Sequence, residues 1–445
     1  MKERSNVDVV PEINDRTISK KQLGMFTLTG LVFANMIGAG VFTTSGFALA
    51  DLGSADRVML AWLAGGLIAL CGAISYGALV RYLAESGGEY LFLSRLIHPF
   101  VGFIAGWVSL LAGFTGAIAF AALTFETYIG PMLPFSLPSG VISVAVIFIA
   151  ALFHGLKFEL GVSVQNAVVV LKFLLILAFI AIAGVVFISS GTAESAATVK
   201  SGFSIFAFAG SLVWISLSYS GYNAAVYIAG EAADNQRTVP RSMLYGTLLV
   251  MAIYLLLNAI FVYLTPFELI AGKEDVAAIS AEYIGGKPLA LLVRLIIATA
   301  LLTSVFSMMM AGPRVYAKMA DDGLFPSIFR FTGSVPDWAI ILQAVATTLL
   351  IVSTTMKDLM SYLGLTLSLS AAVTVGCLFK LKLNKESGAD IKIPGYPFVP
   401  GLFIVATITL AAIATYRQPT EIIFTLITLA TGGLLYVIFK KRDTK

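Results

Sequence analysis

The stretch LTGLVFANMIGAGVFTTSGFALA, residues 28–50, is apolar almost throughout, yet its centre, Met36-Ile37-Gly38-Ala39-Gly40, holds two glycines and an alanine. As a helix it would run about 35 Å at 1.5 Å per residue, enough to cross a hydrocarbon core of about 30 Å. Each glycine weakens a helix by about 1 kcal/mol and lets another group approach the backbone. Close packing of small residues between neighbouring helices is one use for such a centre; an interruption of the span is the other. A second segment, FSIFAFAGSLVWISLSYSGYNAAVYIAGE at 203–231, has the same character, and its centre, Ser218-Tyr219-Ser220-Gly221-Tyr222-Asn223, is the most polar stretch inside any apolar run.

Composition places both segments in a membrane. The 445 residues are 58% hydrophobic and 12% charged, whereas a soluble domain is about 45–50% apolar and about 25% charged. Twelve spans can be read, at about 23–50, 57–83, 99–129, 139–156, 161–190, 203–232, 240–266, 287–318, 337–355, 358–381, 398–416 and 420–439. With an inside N-terminus, 21 of the 29 lysines and arginines fall inside and seven outside, with Lys172 left over. That asymmetry predicts a multi-pass plasma-membrane protein with both termini cytoplasmic, namely segments 1–22 and 440–445. Residues 1–22 are polar and charged, and no cleavable signal peptide is visible in them. The net charge of +4 is too small to suggest nucleic acid. Cys71 and Cys377 lie in apolar runs and read as packing residues.

Spans 1 and 6 each open a set of five, so the spacing divides the chain into a first repeat at 23–190, a second at 203–381 and two further helices at 398–439. Paired interrupted helices of this kind point to an inverted-repeat transporter with its site near the bilayer midplane. A break frees N–H groups at the start of one half-helix and carbonyls at the end of the other. The N–H groups suit a carboxylate and the carbonyls an ammonium, so the pair suits a zwitterion such as an α-amino acid.

Lys172 lies within the apolar run 161–190. At about 1.5 Å per residue its Cα sits roughly 18 Å from the start of that run, too deep for a full escape to the interface. A charge there costs at least about 2.5–3.5 kcal/mol, so a compensating group is expected. Asn166 and Gln165 open the same span and are expected to bond neighbouring helices, while Glu126 is expected to meet water at the outer end of span 3. His98 and His154, solitary near helix ends, read as structural.

Four strings carry a family resemblance: MIGAGVF at 36–42; ESGGEY at 85–90; SYSGYN at 218–223 with GE at 230–231 and NQRTVPR at 235–241; and RVYAKMADDGLFP at 314–326. In that order over residues 23–330 they resemble the amino acid–polyamine–organocation superfamily of transporters, in particular its L-type amino acid transporter branch and bacterial permeases. The resemblance implies an all-α integral membrane protein of 12 transmembrane helices. It would hold a 5+5 inverted repeat with broken helices 1 and 6, similar to the sodium-symporter-type fold, plus two extra C-terminal helices. It implies that backbone N–H groups at Ala39 and Gly40 bind the substrate carboxylate. Carbonyls of Met36, Ile37, Leu217, Ser218 and Ser220 would bind its amine, with Gly38, Tyr219 and Gly221 completing the site. Lys172 resembles a span-5 lysine whose ammonium stands where related transporters bind sodium, with Ser304 or Ser307 of span 8 as partners. It either releases a proton during the cycle or stays charged and bridges spans 1, 5 and 8. The chain departs from the family at the outer gate, with Leu217 where several relatives have an aromatic residue and Tyr222 where they have tryptophan. Trp214, Phe114 or Tyr219 can take that part, and Asn223 is expected to hold the open form of span 6. Glu231, Arg237, Arg241, Arg314 and Asp321 at the cytoplasmic mouths form either an inner salt-bridge gate or a solvated face.

The expected function is sodium-independent, proton-coupled uptake of amino acids by alternating access, with obligatory exchange as the alternative. No acidic residue is evident at the pocket centre, which favours a neutral, small or apolar substrate; Phe114, Tyr219 and Met308 would line its apolar end. An enzyme would need a metal cluster or a nucleophile–base pair, and two lone histidines do not supply one. A channel would show rings of repeated filter residues. No metal or cofactor is expected; the partners are substrate, protons and the lipid bilayer, and the sequence names no accessory subunit.

Overall fold

The computed structural model describes residues 23–155, 162–190, 202–330, 337–383, 392–417 and 419–442. Residues 1–22 and 443–445, and the side chains of Gln165, Asn166, Arg314 and those from Lys440 onward, lie outside the described residues, and the readings placed on them go no further.

The first apolar run is two helices, α1 (Met25–Met36) and α2 (Gly40–Leu52). After them come α3 (Ala55–Tyr82), the short α4 (Gly88–Leu96), and a third run built of α5 (Pro99–Val108), a π-helical segment (Ser109–Gly116) and α6 (Ala117–Ile129). Next are α7 (Val141–Gly155) and α8 (Val162–Ser190), then α9 (Ile205–Ser218), which gives way to a 3-10 segment (Ala224–Glu231). The remainder is α10 (Asn235–Leu264), α11 (Phe267–Ile270), α12 (Val276–Asp321), α13 (Asp337–Ser353), α14 (Met356–Leu383), α15 (Phe398–Arg417) and α16 (Pro419–Arg442).

Among the described residues eight apolar segments are long enough to cross a membrane, and four shorter apolar helices stand at the other spans that the sequence offers. The exposed faces of α7, α8 and α16 carry Phe148, Leu152, Leu174, Val185, Ile188, Leu426 and Ile427. Such surfaces are stable against lipid and not against water. The chain is a multi-pass membrane protein.

Two features were not legible as spans. Residues 276–284 fall between the spans that the sequence offers at 240–266 and 287–318, but they are helical and buried at Val276, Ala277, Ala278 and Ala281 before Gly285 and Gly286 break the helix. The sequence offers the third run as a single span at 99–129 with nothing to mark its centre, whereas the π-helical turn there places Ser109, Gly113 and Phe114 on the wall of a cavity. Single π turns inside α-helices commonly mark functional sites.

The centre of the bundle is aromatic. Trp62 on α3, Tyr219 after α9 and Tyr254 on α10 are buried together with ring centroids 5.0–5.6 Å apart. This cluster fixes α3 and α10 around the two breaks. A short bridge ties the start of the first run to the end of the sixth, with Leu23 N–H donating to Glu231 O at 2.9 Å and Ala233 N–H to Leu23 O at 3.0 Å.

Candidate functional site

At the first break Ile37 still donates to Phe33 O at 3.0 Å, but its ψ of 84° turns the chain out of the helix. Gly38 N–H closes a tight turn onto Met36 O at 2.9 Å, and α2 starts at Gly40. The opening N–H groups of a helix have no partner within it, so α2 directs its positive end at the break. At the second break Tyr219 and Ser220 N–H groups bond back to Ile215 and Leu217 at 3.0 and 2.9 Å, and Gly221 adopts φ +98°. That left-handed conformation suits glycine, and a Cβ at Gly221 would stand 3.0 Å from the Asn35 carbonyl.

The two breaks touch. Ser218 Oγ bonds Thr44 Oγ1 at 2.9 Å and donates to Trp214 O at 3.0 Å, and its backbone packs directly on Gly40. A cavity of about 1110 Å³ lies beside them. Its wall includes Met36, Gly38, Ala39, Gly40, Leu217, Ser218, Tyr219, Ser220, Gly221, Tyr222 and Asn223, with Phe114, Ser304 and Ser307 from spans 3 and 8. The volume slightly exceeds the roughly 300–1,000 Å³ of small-molecule pockets, which suits a pocket continuous with a pathway.

Ile37, Lys172 and Trp214 stand behind this wall. Lys172 is 3% exposed, and its Nζ donates to Ile37 O, a carbonyl released by the first break. Phe33 and Phe173 meet edge to face at 5.5 Å and hold α8 against α1. The span-8 serines turn elsewhere: Ser304 Oγ donates to Ala300 O in its own helix at 3.1 Å, and Ser307 is half-buried on the cavity wall.

Trp214 and Phe114 do not share a lid, because they lie on opposite sides of the second break. Trp214 donates to Ser361 Oγ at 2.9 Å, meets Phe47 at 6.0 Å and has Lys357 Nζ 5.4 Å above its ring. Phe114 instead packs on Tyr227 and Tyr316, at 5.9 and 6.4 Å. Tyr222 is nearly buried against Tyr76 and Phe403, and Asn223 donates to Glu89 Oε1 at 3.4 Å.

Other expectations resolve locally. Glu126 is not left to water: it accepts from Gly140 N–H, Ser143 N–H and Ser143 Oγ at 2.6–2.9 Å and so caps α7. His98 caps α5 by accepting from Phe100 N–H at 3.1 Å, and His154 Nε2 bonds Phe306 O at 3.0 Å. Among the described residues the ion pairs at the mouths are Arg237–Asp234 at 3.9 Å and Lys318–Asp322 at 2.9 Å, each within a turn of its own segment. Exposed pairs of this kind contribute about 0–1 kcal/mol. Both cysteines are free. Among the described residues no group of three or more His, Cys, Asp or Glu side chains is placed to hold a metal.

Nothing in the residues around Tyr254 marks it out in the sequence. Its hydroxyl donates to Met36 O and to Ser218 O (3.0 Å), one carbonyl from each break. Asn258, one turn further along α10, donates to Tyr254 O at 2.7 Å and accepts from Ser45 Oγ, which in turn accepts from Trp62 Nε1 at 2.9 Å. A hydroxyl has one hydrogen, so the two carbonyls share it. Tyr254→Phe leaves both buried carbonyls short of that donor, at a cost of about 1–3 kcal/mol. The expected result is a lower unfolding midpoint in detergent together with weakened ligand binding. An unchanged melting curve would show that the hydroxyl does not join the breaks.

Comparison with known proteins follows the same lines. A family model described as amino acid permease matches residues 23–437. The b(0,+)-type amino acid transporter 1 of Mus musculus is 24% identical over 440 residues, covering 95% of this chain and 88% of its own length. The large neutral amino acids transporter small subunit 2 of Homo sapiens is 25% identical over 384 residues, covering 82% and 70%. The serine/threonine exchanger SteT of Bacillus subtilis (strain 168) is 24% identical over 407 residues, covering 87% and 90%. These are membrane transport proteins and not enzymes, and with a family match running through both breaks and nearly every described span, the chain belongs to the amino acid permease family.

Proposed function

We propose that this protein carries neutral, small or apolar amino acids across the plasma membrane by alternating access, through twelve passes arranged as a 5+5 inverted repeat plus two helices. The observation that carries the reading is the meeting of two broken helices at one cavity, with the N-terminus of α2 and the C-terminus of α9 in contact. A substrate carboxylate fits the N–H groups at Ala39 and Gly40, where the helix dipole favours negative charge. Its ammonium fits the carbonyls of the opposite ends. Ile37 O already receives Lys172 and Leu217 O receives Ser220 N–H, while Met36 O and Ser218 O share the Tyr254 hydrogen. Each carbonyl has two lone pairs, and an ammonium brings the donors these lack. In this reading Lys172 stands in place of a sodium ion, and spans 1, 2, 6 and 7 rock against the rest.

Amino-acid transport is supported by the names of the relatives, two transporters and an exchanger. The exchanger also supports obligatory exchange as a second reading. Uptake into proteoliposomes with and without internal amino acid, under an imposed pH gradient, separates the two: proton-coupled uptake accumulates substrate in empty vesicles, exchange does not.

The substrate class follows from charge. Glu89 is buried at the cavity wall, which the sequence did not reveal, but both of its oxygens are taken by neutral donors. Three of its roughly four acceptor sites are so occupied, which leaves little of the carboxylate open to a cationic side chain. In a thermal-shift screen of the twenty amino acids, neutral substrates are expected to stabilise the protein most. Preference for arginine or lysine would overturn the assignment.

A further inference from the structure

Glu89 is a buried carboxylate that the substrate site leaves unused. It sits in the first turn of α4, between the second and third spans and outside both. It is 6% exposed, yet it belongs to the cavity wall, so water in the cavity can exchange protons with it. Three donors from three elements converge on it: the Tyr76 hydroxyl from α3, Asn223 Nδ2 at 3.4 Å from the second break, and Ser370 Oγ at 2.5 Å from α14. The titratable groups that face it are Tyr76, Tyr222 and Tyr227. Among the described residues no lysine, arginine or histidine is paired with it.

We propose that Glu89 is the proton-binding site of the transport cycle, and that its charge state sets the strength of a clamp joining spans 2 and 6 to span 10. This rests on the transport reading above and assigns its coupling proton to a residue other than Lys172. As an anion Glu89 accepts from all three donors, and charge-assisted bonds are about twice as strong as neutral ones. A proton taken from water converts the carboxylate to a carboxylic acid. Its new O–H donates to Ser370 Oγ, whose own hydrogen turns away, and the bonds from Tyr76 and Asn223 weaken to neutral strength. In the proposed cycle spans 2 and 6 move against span 10, so protonation loosens the contact that must part. Opening then wets the carboxyl and favours return of the proton to the other side. Burial holds the Glu89 carboxyl above the usual carboxylate range, while the Ser370 and Tyr76 hydroxyls pull it back.

The test is the pH profile of amino-acid uptake by the full chain in proteoliposomes. Wild-type uptake is expected to rise several-fold as external pH falls through the titration of Glu89. Glu89→Gln is expected to make the remaining uptake independent of external pH. Ser370→Ala removes a donor to the anion and favours the protonated form, so its profile is expected to move to higher pH. This second variant keeps the carboxyl and serves as the test should Glu89→Gln fail to fold. A flat wild-type profile, a Glu89→Gln variant that still responds, or an unmoved Ser370→Ala profile overturns the proposal. Failure of the wild type to bind any amino acid in thermal shift would instead remove the transport reading itself.

Discussion

Lys172→Ala is expected to abolish amino-acid uptake while leaving the protein folded. The side chain is buried within the fifth span and donates to Ile37 O, the carbonyl at which the first helix breaks. A charge-assisted bond of this kind is worth about 1.5–3 kcal/mol, or roughly ten- to a hundredfold in an equilibrium. Without it the apolar Phe33–Phe173 contact still packs α8 on α1, but the carbonyl freed at the break loses its charged donor, and the proposed occupant of the sodium position is gone. Folding should survive for the opposite reason. A lysine at this depth costs at least about 2.5–3.5 kcal/mol to insert, so its removal relieves a penalty as it deletes a bond. Uptake in proteoliposomes should fall below about one-fiftieth of wild type, within that ten- to hundredfold span, with the unfolding midpoint held or raised. Lys172→Met, which fills the space without the charge, should behave alike. Normal uptake in either variant would remove Lys172 from the mechanism.

The parts of this site that were legible in the sequence are those that depend on a residue's immediate neighbours. Gly38, Gly40 and Gly221 interrupt apolar runs, and a lysine inside such a run stands out; both signals follow from the intolerance of a membrane for unsatisfied polar groups. The chain does break at Met36–Gly40 and at Tyr219–Asn223. What was not legible depends on distant pairing. Tyr254 looks like one aromatic among many in the seventh span until the fold sets its hydroxyl between two breaks. Glu89 sits in a polar-looking loop sequence, and its burial comes from contacts with α3 and α14 far along the chain. The separation of Trp214 from Phe114 is of the same kind. Nothing local to either residue says on which side of the second break it will stand.

Gly40→Ala is expected to lose substrate binding where Gly38→Ala keeps it, although the two glycines are separated by a single residue. The difference is what each faces. A Cβ on Gly38 meets nothing within 4 Å, because that position opens onto the cavity. A Cβ on Gly40 would lie 2.7 Å from Ser218 Cβ and 2.8 Å from Ser218 Cα. The second contact is backbone, so no rotamer change relieves it, and one half-helix must move away from the other. The Thr44–Ser218 bond of 2.9 Å then breaks, and the N-terminus of α2 leaves the end of α9 that it faces. A zwitterion bound between those ends can no longer engage both at once. Losing one charge-assisted contact at about 1.5–3 kcal/mol predicts a ten- to hundredfold rise in Kd, on the order of one to two decades. Gly38→Ala should stay within a few-fold for the smallest amino acids and discriminate more against larger ones, since its methyl occupies cavity space. Binding isotherms for both variants, read beside their melting curves, decide the matter. Equal affinities would mean that the carboxylate is held somewhere other than the start of α2.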